Sequence, residues 1–231
     1  MFGRCCVINL DRRPERLRAF HTRLPADWPF GTVYRVAAFD GAGMTPPPWY
    51  GGKHRLTLRG AWGCFCSHLS IWKTAISDDL DSVLIFEDDC VFAPDFTVRA
   101  RQFVDAVPDD WDMIYFGGQH LNWDTIPPVR VNEHVIRGRN VNRTHAYAIR
   151  RDMMQRCVDE LGKPWPQQMP VNRYNFDFRL GQLQDGRNVY CPTQWLCGQA
   201  AGTSDVYTEG RFLSTVWWKE FPIVEQEAAP C

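Results

Sequence analysis

The string VLIFEDD at residues 83–89 carries the most legible chemistry of the chain. A short apolar run delivers three carboxylates, Glu87, Asp88 and Asp89, to its exit. Adjacent negative charges repel, and clustering them beside a low-dielectric core is costly. A bound cation is the simplest compensation. Carboxylate oxygens favour Mg2+ or Mn2+ over Zn2+. Such a cation can bridge nucleotide phosphates and neutralise charge building on a departing diphosphate. Strand alternation predicts Glu87 and Asp89 on one side and Asp88 on the other. The plainer alternative is a helix N-cap or a solvated acidic turn.

These carboxylates need a frame. Residues 4–10 read as a buried strand, followed by a helix capped by Asp11 with Pro14 and Glu15 in its first turn. Residues 33–39 read as a second strand and 81–87 as a third, of the buried parallel type. Residues 42–58 hold three consecutive prolines and a Gly pair, a loop signature. Helices are expected over 59–75, 95–106 and 151–161, with strands over 113–116, 144–149 and 189–191. Residues 119–140 and 162–176 read as irregular, and the end (VEQEAAPC) as frayed.

Helices between strands predict one α/β domain over residues 1–231, with a mostly parallel central sheet. In such sheets ligands bind outside the carboxyl ends of the strands. Asn9, Asp11, Asp40, Glu87, Asp88, Asp89 and Gly117 all lie at such ends and should converge on one side.

Composition excludes several classes. With 45% hydrophobic and 23% charged residues, and 10 Trp, the 231-residue chain can bury a large core, so disorder is excluded. A net charge of -1 argues against a basic nucleic-acid coat protein and a polybasic membrane anchor. No apolar stretch is long enough to span a bilayer, and the first residues pass straight into a strand-like run that does not read as a secretory signal. The 9 Cys show no CxxC pair and no Cys/His zinc pattern, which fits buried thiols in a reducing, cytoplasmic setting. Basic residues are mostly Arg, which suits bidentate phosphate binding, although a GC-rich genome gives the same bias.

Further strings then line up in order. VINLDRRPERL, AAFDG at 37–41, GAWGCFCSH at 60–68, VLIFEDD, DWDMIYFGG at 110–118 and THAYAIRR at 144–151 together resemble glycosyltransferase family 25, the lipooligosaccharide and collagen galactosyltransferase type. YCPTQWLCGQ at 190–199 and Ser204-Asp205 extend the likeness more loosely. Ala61-Trp62 departs from the family's usual Glu-Ile before Gly63-Cys64.

The resemblance implies a GT-A-like fold, with a donor-binding half (1–118) and an acceptor-side half (119–231). It implies a uridine diphosphate sugar, a divalent cation, and inverting transfer of galactose or glucose. Asp89 is then the direct metal ligand, Glu87 its orienting partner, and Asp205 a further metal or phosphate-side contact. Asp88 falls near ribose or donor-sugar hydroxyls. Asn9 and Asp11 follow the strand that holds the nucleobase, Arg16 meets phosphate, and Asp40 accepts the uracil N–H. Ser67, His68 and Gln199 join the donor site. Asp177, placed in a late polar loop, is the expected base for the acceptor hydroxyl, with Asp112 and Asp205 as competitors.

Each candidate has a bland counterpart: a solvated helix face for Arg16, an Asp-Gly turn for Asp40, packing for Ser67 and His68, loop hydrogen bonding for Gln199. Trp123 and Trp165 are the expected acceptor contacts, the other late tryptophans core. The acceptor bears a hydroxyl: a glycan, a protein side chain, or a hydroxymethylated base in nucleic acid. Two rival classes remain. One is a non-catalytic sugar-nucleotide or glycan-binding protein on the same fold. The other is a nucleotidyltransferase, which would want a Gly-rich phosphate loop or a two-metal carboxylate set that the sequence lacks.

Overall fold

The computed structural model describes residues 2–165, 174–206, 212–217 and 222–225. Trp218, Glu220 and most of the terminal segment expected to fray lie outside the described residues. The apolar runs form β1 (Arg4–Asn9), β2 (Val33–Ala37), β3 (Ser82–Glu87), β4 (Cys90–Phe92), β5 (Met113–His120), β6 (Val129–Arg130), β7 (Val135–Arg137), β8 (Val141–Arg150), β9 (Val189–Pro192) and β10 (Cys197–Gln199). Eight of them make one sheet in the order β2-β1-β3-β8-β5-β9-β7-β6. β1 pairs in parallel with β2 and β3, and β5 with β9. β8 runs antiparallel between β3 and β5, and β7 is likewise reversed. The sheet is therefore mixed, with all strands but β7 and β8 pointing the same way.

Alternation along the strands splits the core over two faces. Val83 and Ile85 of β3 join Met113, Tyr115, Tyr147 and Trp72 on one face. Leu84 and Phe86 join Ile114, Phe116, Phe20 and Phe103 on the other. The first face is covered by α2 (Arg59–Ser77), which packs on α4 (Arg151–Leu161). The second is covered by α1 (Pro14–Arg23) and α3 (Phe96–Ala106). No described helix is long and apolar enough to cross a membrane.

Three local expectations need correction. Helix α1 starts at Pro14, so Arg13 holds the N-cap position and its side chain does not cap. Asp11 sits two residues too early, and its carboxylate pairs with Arg35 instead. Residues 176–183, expected at the edge of a loop, form α5 (Phe176–Leu183), which places Asp177 in a first helical turn. Phe176 and Leu180, one turn apart, anchor that helix in the core. Finally, the chain after Glu87 turns at once and returns as β4, pairing with β10 through Cys90 opposite Gln199. Strand alternation stops at Glu87 for that reason.

The wall of the site depends on close backbone contact. A Cβ on Gly63 of α2 would stand 2.5 Å from the Phe39 carbonyl oxygen and 2.6 Å from the Gly41 nitrogen. Gly63→Val is expected to cost about 1–3 kcal/mol through overpacking. Urea unfolding checks this; an unchanged midpoint counts against the contact.

Candidate active site

The carboxyl ends of β1 and β3 and the start of β8 open into a cleft with two chambers. The first is lined by Asn9, Arg16, Asp40, Ser67, His68, Asp88 and Asp205, among others. The second is lined by Arg143, Thr144, Phe176, Asp177, Gln199 and Val216, among others. Cys64, Glu87, Ser204 and Val206 belong to both, so the chambers share a floor and a rim.

The acidic residues separate once the strand has ended. Glu87 Oε1 accepts a 2.7 Å hydrogen bond from Thr144 and lies 3.5 Å from His68 Nε2. Asp88 and Asp89 turn together toward α1. Arg16 Nη2 is 2.5 Å from Asp88 Oδ1 and 3.3 Å from Asp89 Oδ2, while its Nη1 is 3.2 Å from Asp205. Three carboxylates thus converge on one guanidinium. Asp88 also accepts from the Asn9 amide at 2.7 Å. Asp205 is held again by Arg12 at 2.8 Å and Arg13 at 3.7 Å. Asp88 and Asp89 share Arg16, so the expected opposition between them does not occur.

Electrostatics single out Asp89. Burial, reinforced by Glu87, pushes its carboxyl up to about 7 despite Arg16. Its Oδ1 is buried and has no hydrogen-bond partner, while Oδ2 is met by Arg16 Nη2 at 3.3 Å and by the Gln199 amide at 3.5 Å. Asp89 lines neither chamber directly; it stands behind them, between Arg16 of the first and Gln199 of the second. Burial opposes the charge on Glu87, yet the neighbouring His68 imidazole and a hydrogen bond from Thr144 hold it down to about 2. Burial raises Asp88, with Arg16 pulling the other way.

The remaining candidates divide. Asp40 is occupied: Arg12 binds it at 2.6 Å and its Oδ1 caps the turn at Ala42. Its carboxyl is held below the usual range by Arg12, burial opposing. Asp11, 79% exposed in its side chain, is outside both chambers. Ser67 accepts from the Phe39 amide at 2.9 Å and donates to the Gly63 carbonyl at 2.7 Å, so it ties α2 to the loop after β2. Asp112 is remote: it accepts from the Asn188 backbone at 2.8 Å and lines neither chamber. Trp165 is buried, its indole donating to the Leu161 carbonyl at 2.9 Å, while Trp123 is 41% exposed. His145 is buried against the Cys197 carbonyl, with burial lowering it to about 4.

Asp177 faces the second chamber, its side chain only 16% exposed. Burial raises its carboxyl; Arg143, 3.9 Å away, lowers it and Glu87 raises it. Arg143 and Thr144 escaped the sequence reading. They sit where β8 bulges against Gly117 and Gln119, and Arg143 has φ +80°. A bulge re-aims side chains, and here it turns Arg143 toward Asp177. Nothing in the local string VNRTHAYAI at 141–149 marks it.

The oxygen chemistry of Asp88, Asp89 and Asp205 suits a hard cation, and their oxygens do not all lie within 4.8 Å of one another. Asp89 offers a buried, unpartnered carboxylate oxygen, and Asp88 and Asp205 bring further oxygens to the same guanidinium. Arg16 now holds the balancing charge there.

The family profile "Glycosyltransferase family 25 (LPS biosynthesis protein)" matches residues 4–174. A bovine protein named "Probable inactive glycosyltransferase 25 family member 3" is 34% identical over 137 residues, covering 52% of this chain and 22% of its own. Human "Procollagen galactosyltransferase 2" is 36% identical over 136 residues, covering 52% of this chain and 21% of its own. The chain thus spans about a fifth of the length of these relatives. Among solved structures, a glycosyltransferase involved in glycosylation of the major capsid of PBCV-1 matches with 14% identity and a TM-score of 0.43, over 87% of this chain and 93% of that one.

Proposed function

The chain belongs to glycosyltransferase family 25, and from that footing we propose that it transfers a hexose, galactose or glucose, from a uridine diphosphate sugar to an acceptor hydroxyl, with inversion. The observation that carries the reading is the pairing of two chambers over one floor. One is lined by Arg16, Asp88 and Asp205, with Asp89 behind them on the same guanidinium, the other by the mostly buried carboxylate of Asp177.

The donor occupies the first chamber. Arg16, which lines this chamber, supplies a guanidinium fork for the diphosphate. Asp88, steadied by Asn9, accepts from a ribose or sugar hydroxyl. Mn2+ or Mg2+ would be held by Asp89 with Asp205, and when bound it supplies charge neutralisation to the leaving diphosphate. Glu87, turned to His68 and Thr144, orients the floor. Asp177 takes the acceptor proton as the acceptor oxygen attacks the anomeric carbon. The bond to the diphosphate breaks on the opposite side. The acceptor is a glycan, a hydroxylated protein side chain or a hydroxymethylated base. The eight described cysteines are all free.

Arg16 already seated among the carboxylates favours one alternative, a binding protein that holds the sugar nucleotide without turning it over. Incubation with UDP-galactose or UDP-glucose and Mn2+ separates the two: slow release of hexose and UDP is expected, and binding without release supports the alternative. Asp89→Ala is expected to lower Mn2+-dependent donor affinity at least tenfold. Unchanged donor affinity in calorimetry would overturn the metal assignment.

A further inference from the structure

A second ligand set lies on the floor shared by the two chambers. Cys64 and His68 stand one turn apart on α2, and Glu87 ends β3 opposite them. One ligand atom from each lies within 4.8 Å of the others, the only such group of three among the described residues. His68 is wholly buried, and its Nε2 has no hydrogen-bond partner while standing 3.5 Å from Glu87 Oε1. The other ring nitrogen, Nδ1, is 2.9 Å from the Tyr147 hydroxyl, which also accepts from Trp72 Nε1 at 3.2 Å. This is the outer support that fixes a metal-binding imidazole.

We propose that Cys64, His68 and Glu87 form a site for a thiophilic divalent cation, Zn2+ being the expected occupant, with an open coordination position facing the cleft. The ligand chemistry selects the ion. Sulfur, imidazole nitrogen and one carboxylate suit Zn2+, whereas Asp88, Asp89 and Asp205 offer oxygen alone. Bonds of about 2.0–2.3 Å set tetrahedral ligand atoms about 3.3–3.8 Å apart. The three residues therefore close by about 1 Å on the ion. Three protein ligands with one open position is the pattern of reactive rather than structural zinc. Because Cys64 and Glu87 line both chambers, that position opens toward substrate space.

The binding step balances simply. The Cys64 S–H bond is replaced by a sulfur–zinc bond and its proton passes to solvent. His68 binds through Nε2, with Nδ1–H donating to Tyr147. No electrons are exchanged. The site stands whether or not the chain transfers sugar.

Cobalt(II) reports the ligands directly, through a thiolate-to-metal charge-transfer band and intense tetrahedral bands. The full chain, its Cys66→Ser form and its Asp89→Asn form are each expected to show the thiolate band on Co2+ binding, which Zn2+ then abolishes. Cys64→Ser is expected to lose the band. Absence of the band in the unmodified protein overturns the proposal regardless of how any variant folds. Retention of the band in Cys64→Ser, or its loss in Asp89→Asn, overturns it too. Calorimetric Zn2+ titrations in two buffers are expected to show proton release that disappears with Cys64→Ser; equal release in both proteins counts against the site.

Discussion

Arg16→Gln is expected to destabilise the metal-free protein by about 2–3 kcal/mol and to make its stability strongly dependent on Mn2+. The reason is the charge count around that guanidinium. Asp88, Asp89 and Asp205 approach it at 2.5, 3.3 and 3.2 Å. Removing one partner of a fully buried pair costs about 3–5 kcal/mol, chiefly because a charge is left unpaired. Here the Arg16 side chain is 22% exposed, which brings the figure down. The remaining carboxylates, with the unpartnered Asp89 oxygen, are then a better cation site than in the unmodified protein. Free Mn2+ at 100 times its dissociation constant adds about 2.7 kcal/mol to the native state. That is enough to restore what the substitution removes. Thermal unfolding with and without Mn2+ reads the result. The melting temperature of Arg16→Gln should rise more with Mn2+ than that of the unmodified protein. Adding UDP should narrow the difference, since a diphosphate gives Arg16 a new partner. Equal Mn2+ shifts in the two proteins would show that Arg16 does not hold the cation's place.

This arrangement also marks where sequence reasoning stops. The apolar runs at Cys5–Ile8, Val83–Phe86 and Met113–Phe116 fix strands because burial on both faces leaves few other conformations for them. The helix over residues 59–77 is legible in its small and apolar residues, and the exit carboxylates follow from strand direction. What escapes is non-local. Arg16 meets Asp205 across 189 positions, and Arg143 reaches Asp177 only because β8 bulges. The β4–β10 ladder, which brings Gln199 beside Asp89, depends on two three-residue strands with too little periodicity to read. By contrast α5 was open to reading: Phe176, Leu180 and Leu183 recur at helical spacing, hidden by the polar segment before them. Cys64 and His68 likewise sit at i and i+4 on a readable helix, but their third partner arrives from β3. A ligand set drawn from two elements has no linear signature.

Asp177→Asn should reduce transfer by about 10²–10⁴-fold while donor affinity and Mn2+ response persist. The substitution keeps the shape of the side chain and removes its capacity to take a proton. Two further readouts separate a base from a structural carboxylate. The first is stability. Burial raises the Asp177 carboxyl above the ordinary aspartate value, so the folded protein prefers it protonated. Stability from that source is present at low pH and is lost as pH rises through the raised value. Asparagine mimics the protonated form at every pH, so the variant should melt no lower than the unmodified protein at neutral pH, and should gain if anything. A large loss of stability would instead mark Asp177 as a structural anchor of α5 through the charge it presents to Arg143, 3.9 Å away. The second is the acid limb of the rate profile. Transfer needs the carboxylate, so the rate should climb with pH through a value above that of an ordinary aspartate. Arg143 is the cation that restrains the upward shift. Arg143→Gln removes that restraint and should carry the acid limb to higher pH, leaving the rate well above the limb less affected. An acid limb that stays in place in Arg143→Gln, with transfer intact, would mean that another group accepts the proton.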